Sequence, residues 1–135
     1  MIISTRGRYA LRVMLDLAWH DDGGYIPLKE IASREGISEK YLESILKVLV
    51  RDQLLAGQRG KGGGYRLTKS PAEYTLGSIL RLTEGSLAPV ACADNDNTEC
   101  PRREICASRP VWQQLNTLIN DFLDGITLAD LMKPS

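Results

Sequence analysis

Apolar residues recur at helical spacing through most of this 135-residue chain, and the positions where the pattern stops carry residues that cap or break helices. After Ser4, Ala10, Leu11, Met14, Leu17 and Ala18 return every three or four positions until Asp21-Asp22-Gly23-Gly24, which predicts a first helix capped by Ser4. Leu28, Ile31 and Ala32 mark a short second helix between Pro27 and Gly36. Ser38 can cap a third, with Leu42, Ile45, Leu46 and Leu49 on one face. Two short helices joined by a glycine-containing turn predict a helix-turn-helix. The period then shortens: Leu54-Leu55-Ala56 and Tyr65-Arg66-Leu67-Thr68 predict two strands, separated by a loop from Gln58 to Gly64. A helix-turn-helix followed by such a hairpin predicts a winged helix.

Helical spacing resumes at Thr75 or Gly77, runs through Ile79, Leu80 and Leu82, and stops at Glu84-Gly85. From Pro110 a longer helix carries Val111, Leu115, Leu118 and Phe122, with Trp112, Ile119 and Leu123 widening the stripe. A stripe this broad offers more apolar surface than one neighbour needs, which favours dimerisation over packing within the chain. Gly125 ends this helix, and Thr127-Leu-Ala-Asp130 is a capping-box start for a terminal turn. The expected fold is mainly α with a small β-hairpin wing: a winged helix-turn-helix DNA-binding domain over residues 1–75, a connecting helix and loop over 76–91, a cysteine loop over 92–109, and a dimerisation helix with terminal turn over 110–135. A chain of this length buries one ordinary core.

Charge sharpens this picture. The formal net charge is zero, but residues 1–69 hold 12 Lys and Arg against 8 Asp and Glu, and residues 70–135 hold 5 against 9. No acidic residue falls between Asp52 and Glu73, where Arg59, Lys61, Arg66 and Lys69 lie. The amino-terminal part is therefore the candidate polyanion-facing surface. Two copies of the third helix would enter successive major grooves about 34 to 36 Å apart, so the expected partner is double-stranded DNA with an inverted repeat. Lys40, Tyr41, Glu43 and Ser44 would face the groove, Glu43 accepting from a cytosine amino group, with Ser38, Glu39 and Lys47 on the same helix. In the wing, Arg59 and Lys61 suit a narrow minor groove, while Gly62 and Gly63 permit close backbone approach beside Tyr65. Arg6, Arg8 and Arg12 on the first helix read either as phosphate contacts or as a solvated cationic face.

The glycine-rich loop is no nucleotide cradle, because Gly60-Lys61 is followed by glycine and lacks the preceding spacing. With one histidine, no nucleophile motif and no phosphate loop, the chain is not expected to be an enzyme. No run of about 18 apolar residues and no secretory signal are present, which predicts a cytoplasmic protein without membrane contact.

The three cysteines, Cys92, Cys100 and Cys106, share one polar segment with Asp94, Asn95, Asp96, Asn97 and Thr98. Their odd number argues against a disulfide scaffold. Soft thiolates select an iron-sulfur cluster, zinc or copper(I), and no CxxC pair points to a zinc ribbon.

Five pieces of this chain together resemble the Rrf2-type bacterial transcription regulators: Ser4-Thr5-Arg6-Gly7-Arg8-Tyr9-Ala10, Ile37-Ser38-Glu39-Lys40-Tyr41-Leu42-Glu43, Arg59-Gly60-Lys61-Gly62-Gly63-Gly64-Tyr65, the cysteine triad, and Ile126-Thr127-Leu128-Ala129-Asp130-Leu131. The resemblance is greatest to members that sense an iron-sulfur cluster. It implies a homodimer, a [2Fe-2S] cluster on the three cysteines, and regulation, as a repressor, of cluster-assembly genes. Two features depart from the enterobacterial pattern. The first cysteine gap is two residues longer, and the histidine expected three residues past the last cysteine is Arg109, which has no lone pair to donate. His20, Asp94, Asp96, Glu99, Glu104, a partner residue or a solvent thiol remain open as the fourth ligand. The nitric-oxide-sensing members carry a carboxylate near position 8, where this chain has Arg8. Rival readings are a thiol-based cysteine-metabolism or redox regulator and a zinc-stabilised protein-interaction adaptor.

Overall fold

The computed structural model describes residues 3–94, 101–102 and 104–133. Six helices and one hairpin follow in the order α1 (Thr5–Trp19), α2 (Leu28–Glu35), α3 (Glu39–Arg51), β1 (Leu55–Gln58), β2 (Gly64–Leu67), α4 (Leu76–Glu84), α5 (Arg109–Asp124) and α6 (Leu128–Met132). The expected mainly helical winged helix is the fold observed. The helix starts follow from local chemistry: the hydroxyls of Ser4, Ser38, Thr75 and Thr127 each accept an amide of the first turn they precede. Gly36 ends α2 in the left-handed region at φ 67°, which turns the chain into α3. At the end of α3 the same role falls to a non-glycine residue, Gln53 at φ 66°, and the Leu54 amide closes the cap on the Leu49 carbonyl.

The hairpin pairs Leu55 with Leu67 and Gln58 with Gly64. Strand β1 therefore runs two residues beyond the apolar Leu54–Ala56 stretch, because ladder hydrogen bonds continue where apolar side chains stop. Ile26 adds a bridge to the far side of β2, its amide and carbonyl both bonded to Tyr65 at 2.9 Å. This bridge brings the backbones close at Gly64, where a Cβ would lie 2.1 Å from the Ile26 carbonyl oxygen. The root of the wing is thus fixed to the segment before α2.

One core unites these elements. Val13 and Met14 of α1, Ile31 of α2, Leu42, Ile45, Leu46 and Leu49 of α3, Leu55, Tyr74 and Ile79 pack together with Leu128 of α6. Leu28 is only half-buried at the edge. Tyr74 is fully buried, and its hydroxyl donates to the Leu54 carbonyl at 2.8 Å while accepting the amides of Thr68 and Lys69 at 2.9 and 3.0 Å. That single oxygen ties the base of the hairpin to the segment leading into α4. Asp16 is the one buried charged residue among those described, and Arg34 of α2 grips its carboxylate at 2.7 and 2.9 Å. The carboxylate holds the Arg34 guanidinium in its charged form, pushing its pKa up.

Helix α5 packs on α4 through Arg81, which donates to both oxygens of Asp124 at 2.8 Å and to Asn120 at 2.7 Å. After α5 the chain returns to the core: Leu76 donates to the Ile126 carbonyl at 2.9 Å and Leu128 to that of Tyr74 at 3.0 Å. Among the described residues no helix is long and apolar enough to cross a membrane.

Candidate nucleic-acid interface and cysteine segment

Some of the basic residues are held within the fold, and others on α3 and the wing are not. Arg6 donates to Ser44 on α3, Arg12 to Glu35, Arg34 to Asp16, and Arg66 to the Gly23 carbonyl while stacking on Tyr25 at 4.6 Å. These cations are engaged within the fold. Lys40, Lys47, Arg59 and Lys61, by contrast, are exposed and form no ion pair among the described residues. All four lie on α3 or at the wing tip, where a polyanion can reach them.

Helix α3 exposes Glu39, Lys40, Glu43 and Lys47 on the face opposite its buried leucines, with Ser38 exposed at its cap. Tyr41 and Ser44 are placed differently from these. The Tyr41 ring is half-buried against Tyr9, with centroids 5.8 Å apart. The Ser44 hydroxyl donates to the Tyr41 carbonyl at 2.6 Å and accepts from Arg6 at 3.2 Å. The wing tip turns on Gly60 and Gly62, both at positive φ, and is closed by the Gly63 amide on the Gly60 carbonyl at 3.0 Å. A side chain at Gly63 would strike the Gln58 carbonyl oxygen at 2.2 Å. The glycines are therefore needed for the turn that presents Arg59 and Lys61.

Between α3 and the wing lies a groove of about 330 Å³ lined by Glu43, Lys47, Val50, Gly57, Gln58, Arg59 and Tyr65. Helix α3 and the wing thus share one continuous surface. Burial, and then the nearby Glu43 carboxylate, push the Tyr65 phenol above its ordinary pKa against the pull of Arg59. Tyr65 is a neutral hydrogen-bonding group there.

In the cysteine segment, Cys92 is half-buried on a 3₁₀ turn, Ala91–Ala93, and the Ala93 carbonyl accepts from Asn116 of α5 at 3.1 Å. Cys106 is half-buried immediately before α5. Its thiol is pushed toward thiolate first by the Ser108 hydroxyl 3.3 Å away, then by the backbone amides of Ser108 and Arg109. Both cysteines are free thiols. Cys100 lies outside the described residues, as do Asp96 and Glu99. Among the described residues no group of three His, Cys, Asp or Glu side chains comes together.

The donor chemistry suits a soft metal, since a thiol biased toward thiolate is what iron or zinc takes. His20 lies at the end of α1, its Nδ1 2.8 Å from the Asp16 carbonyl. Arg109 sits at the head of α5 with its Nε buried and unpaired among the described residues. The Arg6 bond to Ser44, the Tyr74 hydroxyl and the Asp16–Arg34 pair were not read from sequence. Each joins residues far apart in the chain, and no local pattern marks them.

Residues 3–134 match the Rrf2 family, described as "Iron-dependent Transcriptional regulator". The chain is 38% identical over 132 residues to the HTH-type transcriptional regulator IscR of Aliivibrio salmonicida, covering 98% of this chain and 77% of that protein. Among solved structures it resembles T. potens IscR, with TM-score 0.76 and 36% identity over 98% of this chain and 86% of that one. It also resembles CymR, the global cysteine regulator of B. subtilis, with TM-score 0.78 and 35% identity over 97% and 95% of the two chains. These relatives are transcription regulators, not enzymes. With Lys40 and Lys47 exposed on α3, a cationic wing beside it and a match spanning nearly every residue, this chain belongs to the Rrf2 family of transcriptional regulators.

Proposed function

We propose that this protein is a homodimeric, cytoplasmic repressor that reads an inverted-repeat operator and senses the supply of iron-sulfur clusters through a [2Fe-2S] cluster on Cys92, Cys100 and Cys106. Its targets are genes of cluster assembly. Helix α3 enters the major groove with Ser38, Glu39, Lys40, Tyr41, Glu43, Ser44 and Lys47 on or near the base edges. The wing lays Arg59, Lys61, Gly62, Gly63 and Tyr65 against the neighbouring backbone and minor groove. One observation carries the DNA reading: Lys47 of α3 and Arg59 of the wing, neither in an ion pair among the described residues, border the same groove. When bound, the cluster would tie the 3₁₀ turn bearing Cys92 to the head of α5 bearing Cys106. The residues around it already link these parts, because Asn116 of α5 holds the Ala93 carbonyl. Four units divide the work: residues 1–75 read DNA, 76–91 connect, 92–109 hold the cluster and 110–135 dimerise.

A second reading is a thiol switch. It is favoured by the bias of Cys106 toward thiolate and by the likeness to CymR.

The two readings separate on protein purified without oxygen or added thiol. Red-brown protein with near-equal iron and sulfide, about two of each per chain, supports the cluster. Colourless protein that also refuses anaerobic reconstitution supports the thiol switch. For DNA, Arg59→Ala is expected to weaken operator binding and reduce the salt slope by about 0.9 for each phosphate the variant leaves unneutralised. An unchanged slope would remove the wing from the interface.

A further inference from the structure

The arginine at position 6 is half-buried and bonded within the protein. From the first turn of α1 it reaches across to α3, where Nη2 donates to the Ser44 carbonyl at 2.9 Å and Nη1 to the Ser44 hydroxyl at 3.2 Å. That hydroxyl is itself held by the Tyr41 carbonyl at 2.6 Å. Arg6 therefore grips the recognition helix at its second turn, beside the exposed Glu43 and Lys47.

The turn that carries Arg6 is fixed from its other side. Ser4 caps α1, and both its amide and its hydroxyl donate to Glu84 Oε1 of α4, at 3.0 and 2.6 Å. Gly7 permits this approach, since a Cβ there would lie 2.3 Å from the same Glu84 oxygen. A second tie lies one turn further along α1, where Tyr9 packs on Tyr41 and Arg12 both covers the Tyr9 ring and pairs with Glu35. Helix α1 is thus braced on α4 and bonded to α3 through one turn.

We infer that Arg6 is a positioning residue for DNA reading: through Ser44 it sets the pitch of α3 in the major groove, with Glu84 as the brace behind it. This rests on the reading that α3 is the recognition helix. Base-reading side chains tolerate only about 0.5 Å of misplacement. A helix held by packing alone can rock on its apolar face; two charge-assisted bonds to one residue at mid-helix restrain that motion. The same geometry gives Arg6 a smaller share in counterion release than the wing cations, because Nη1 and Nη2 each donate to Ser44.

The test compares two binding constants for the full chain, one on an inverted-repeat duplex selected from a random library by the wild-type protein, the other on an unrelated duplex, each over a range of salt. Arg6→Ala is expected to lower the ratio of the two affinities by roughly tenfold and to leave the salt slope on the selected duplex nearly unchanged. Arg6→Lys, which keeps the charge but puts a single nitrogen on a shorter side chain in place of the planar fork, should fail to restore the ratio; it serves as the readout if the alanine variant does not fold. Glu84→Ala, outside the helix-turn-helix and wing, should lower the ratio in the same direction by a smaller factor. A slope reduced by about 0.9 in Arg6→Ala, full rescue by lysine, or an unchanged ratio would each overturn the proposal. A wild-type protein that selects no duplex would instead overturn the DNA reading itself, and this inference with it.

Discussion

Helices α3 and α5 are both amphipathic, yet they meet opposite fates. In α3, Leu42, Ile45, Leu46 and Leu49 are at most 1% exposed. In α5 no residue is buried, and Leu118 and Phe122 are each 67% exposed. Periodicity in a sequence marks a face to be covered without saying what covers it. For α3 the cover comes from the same chain. For α5 the polar contacts of Arg81 with Asn120 and Asp124 hold one side on α4 and leave the apolar stripe outward. A second copy of the chain is the proposed occupant, because an inverted repeat needs two reading heads.

The sharpest way to break this contrast is a charge on each helix. Leu118→Glu is expected to leave the helical content of each chain intact in circular dichroism, to give monomer in sedimentation, and to weaken operator binding by roughly a hundredfold as bivalency is lost. Leu42→Glu, the same chemistry on α3, is expected to abolish the cooperative unfolding transition in circular dichroism. Dimeric Leu118→Glu protein would place the interface elsewhere.

A smaller effect tests how firmly the reading half is held. Tyr74→Phe keeps the packing of the ring but leaves the amides of Thr68 and Lys69 without their partner and the Leu54 carbonyl with only the Thr68 hydroxyl at 3.3 Å, a cost of about 1 to 3 kcal/mol in urea unfolding. No loss of stability would mean that the root of the wing does not depend on that oxygen.

The smallest effect belongs to the brace of α5. Arg81 holds the Asp124 carboxyl below the usual aspartate range. A carboxylate whose pKa is lower folded than unfolded stabilises the fold fully at neutral pH, and that contribution is lost as pH falls from about 4 through the folded value. The pair is more than a third exposed on both sides, so solvent screening keeps its worth within about 1 kcal/mol. Asp124→Asn should therefore lower stability slightly at pH 7 and by less near pH 2. An equal deficit at both pH values would assign its role to packing.

These contrasts also show what the sequence made legible. The caps at Ser4, Ser38, Thr75 and Thr127 and the stop at Gly36 were readable because each acts within a few residues of its own position. So was the wing, whose glycines announce a turn that other residues cannot make. The engaged cations were not. Arg6 and Arg59 look alike in sequence, and only the fold turns one inward to Ser44 and leaves the other at the tip. Asp16 gave no sign of burial, because its partner Arg34 arrives from another helix. Of the cysteines, grouping was legible and ligation was not, since a fourth donor is a property of three-dimensional approach.

The return of the chain after α5 has a further consequence. Leu128 is fully enclosed by the core that supports the recognition helix, and the Tyr74 carbonyl takes its amide. The segment through residue 75 by itself therefore has a hole where Leu128 sits, beside the one left by Ile79 of α4. The segment cannot be lifted out as a portable cassette either: fused to another dimerising partner without α6, it would carry that hole with it.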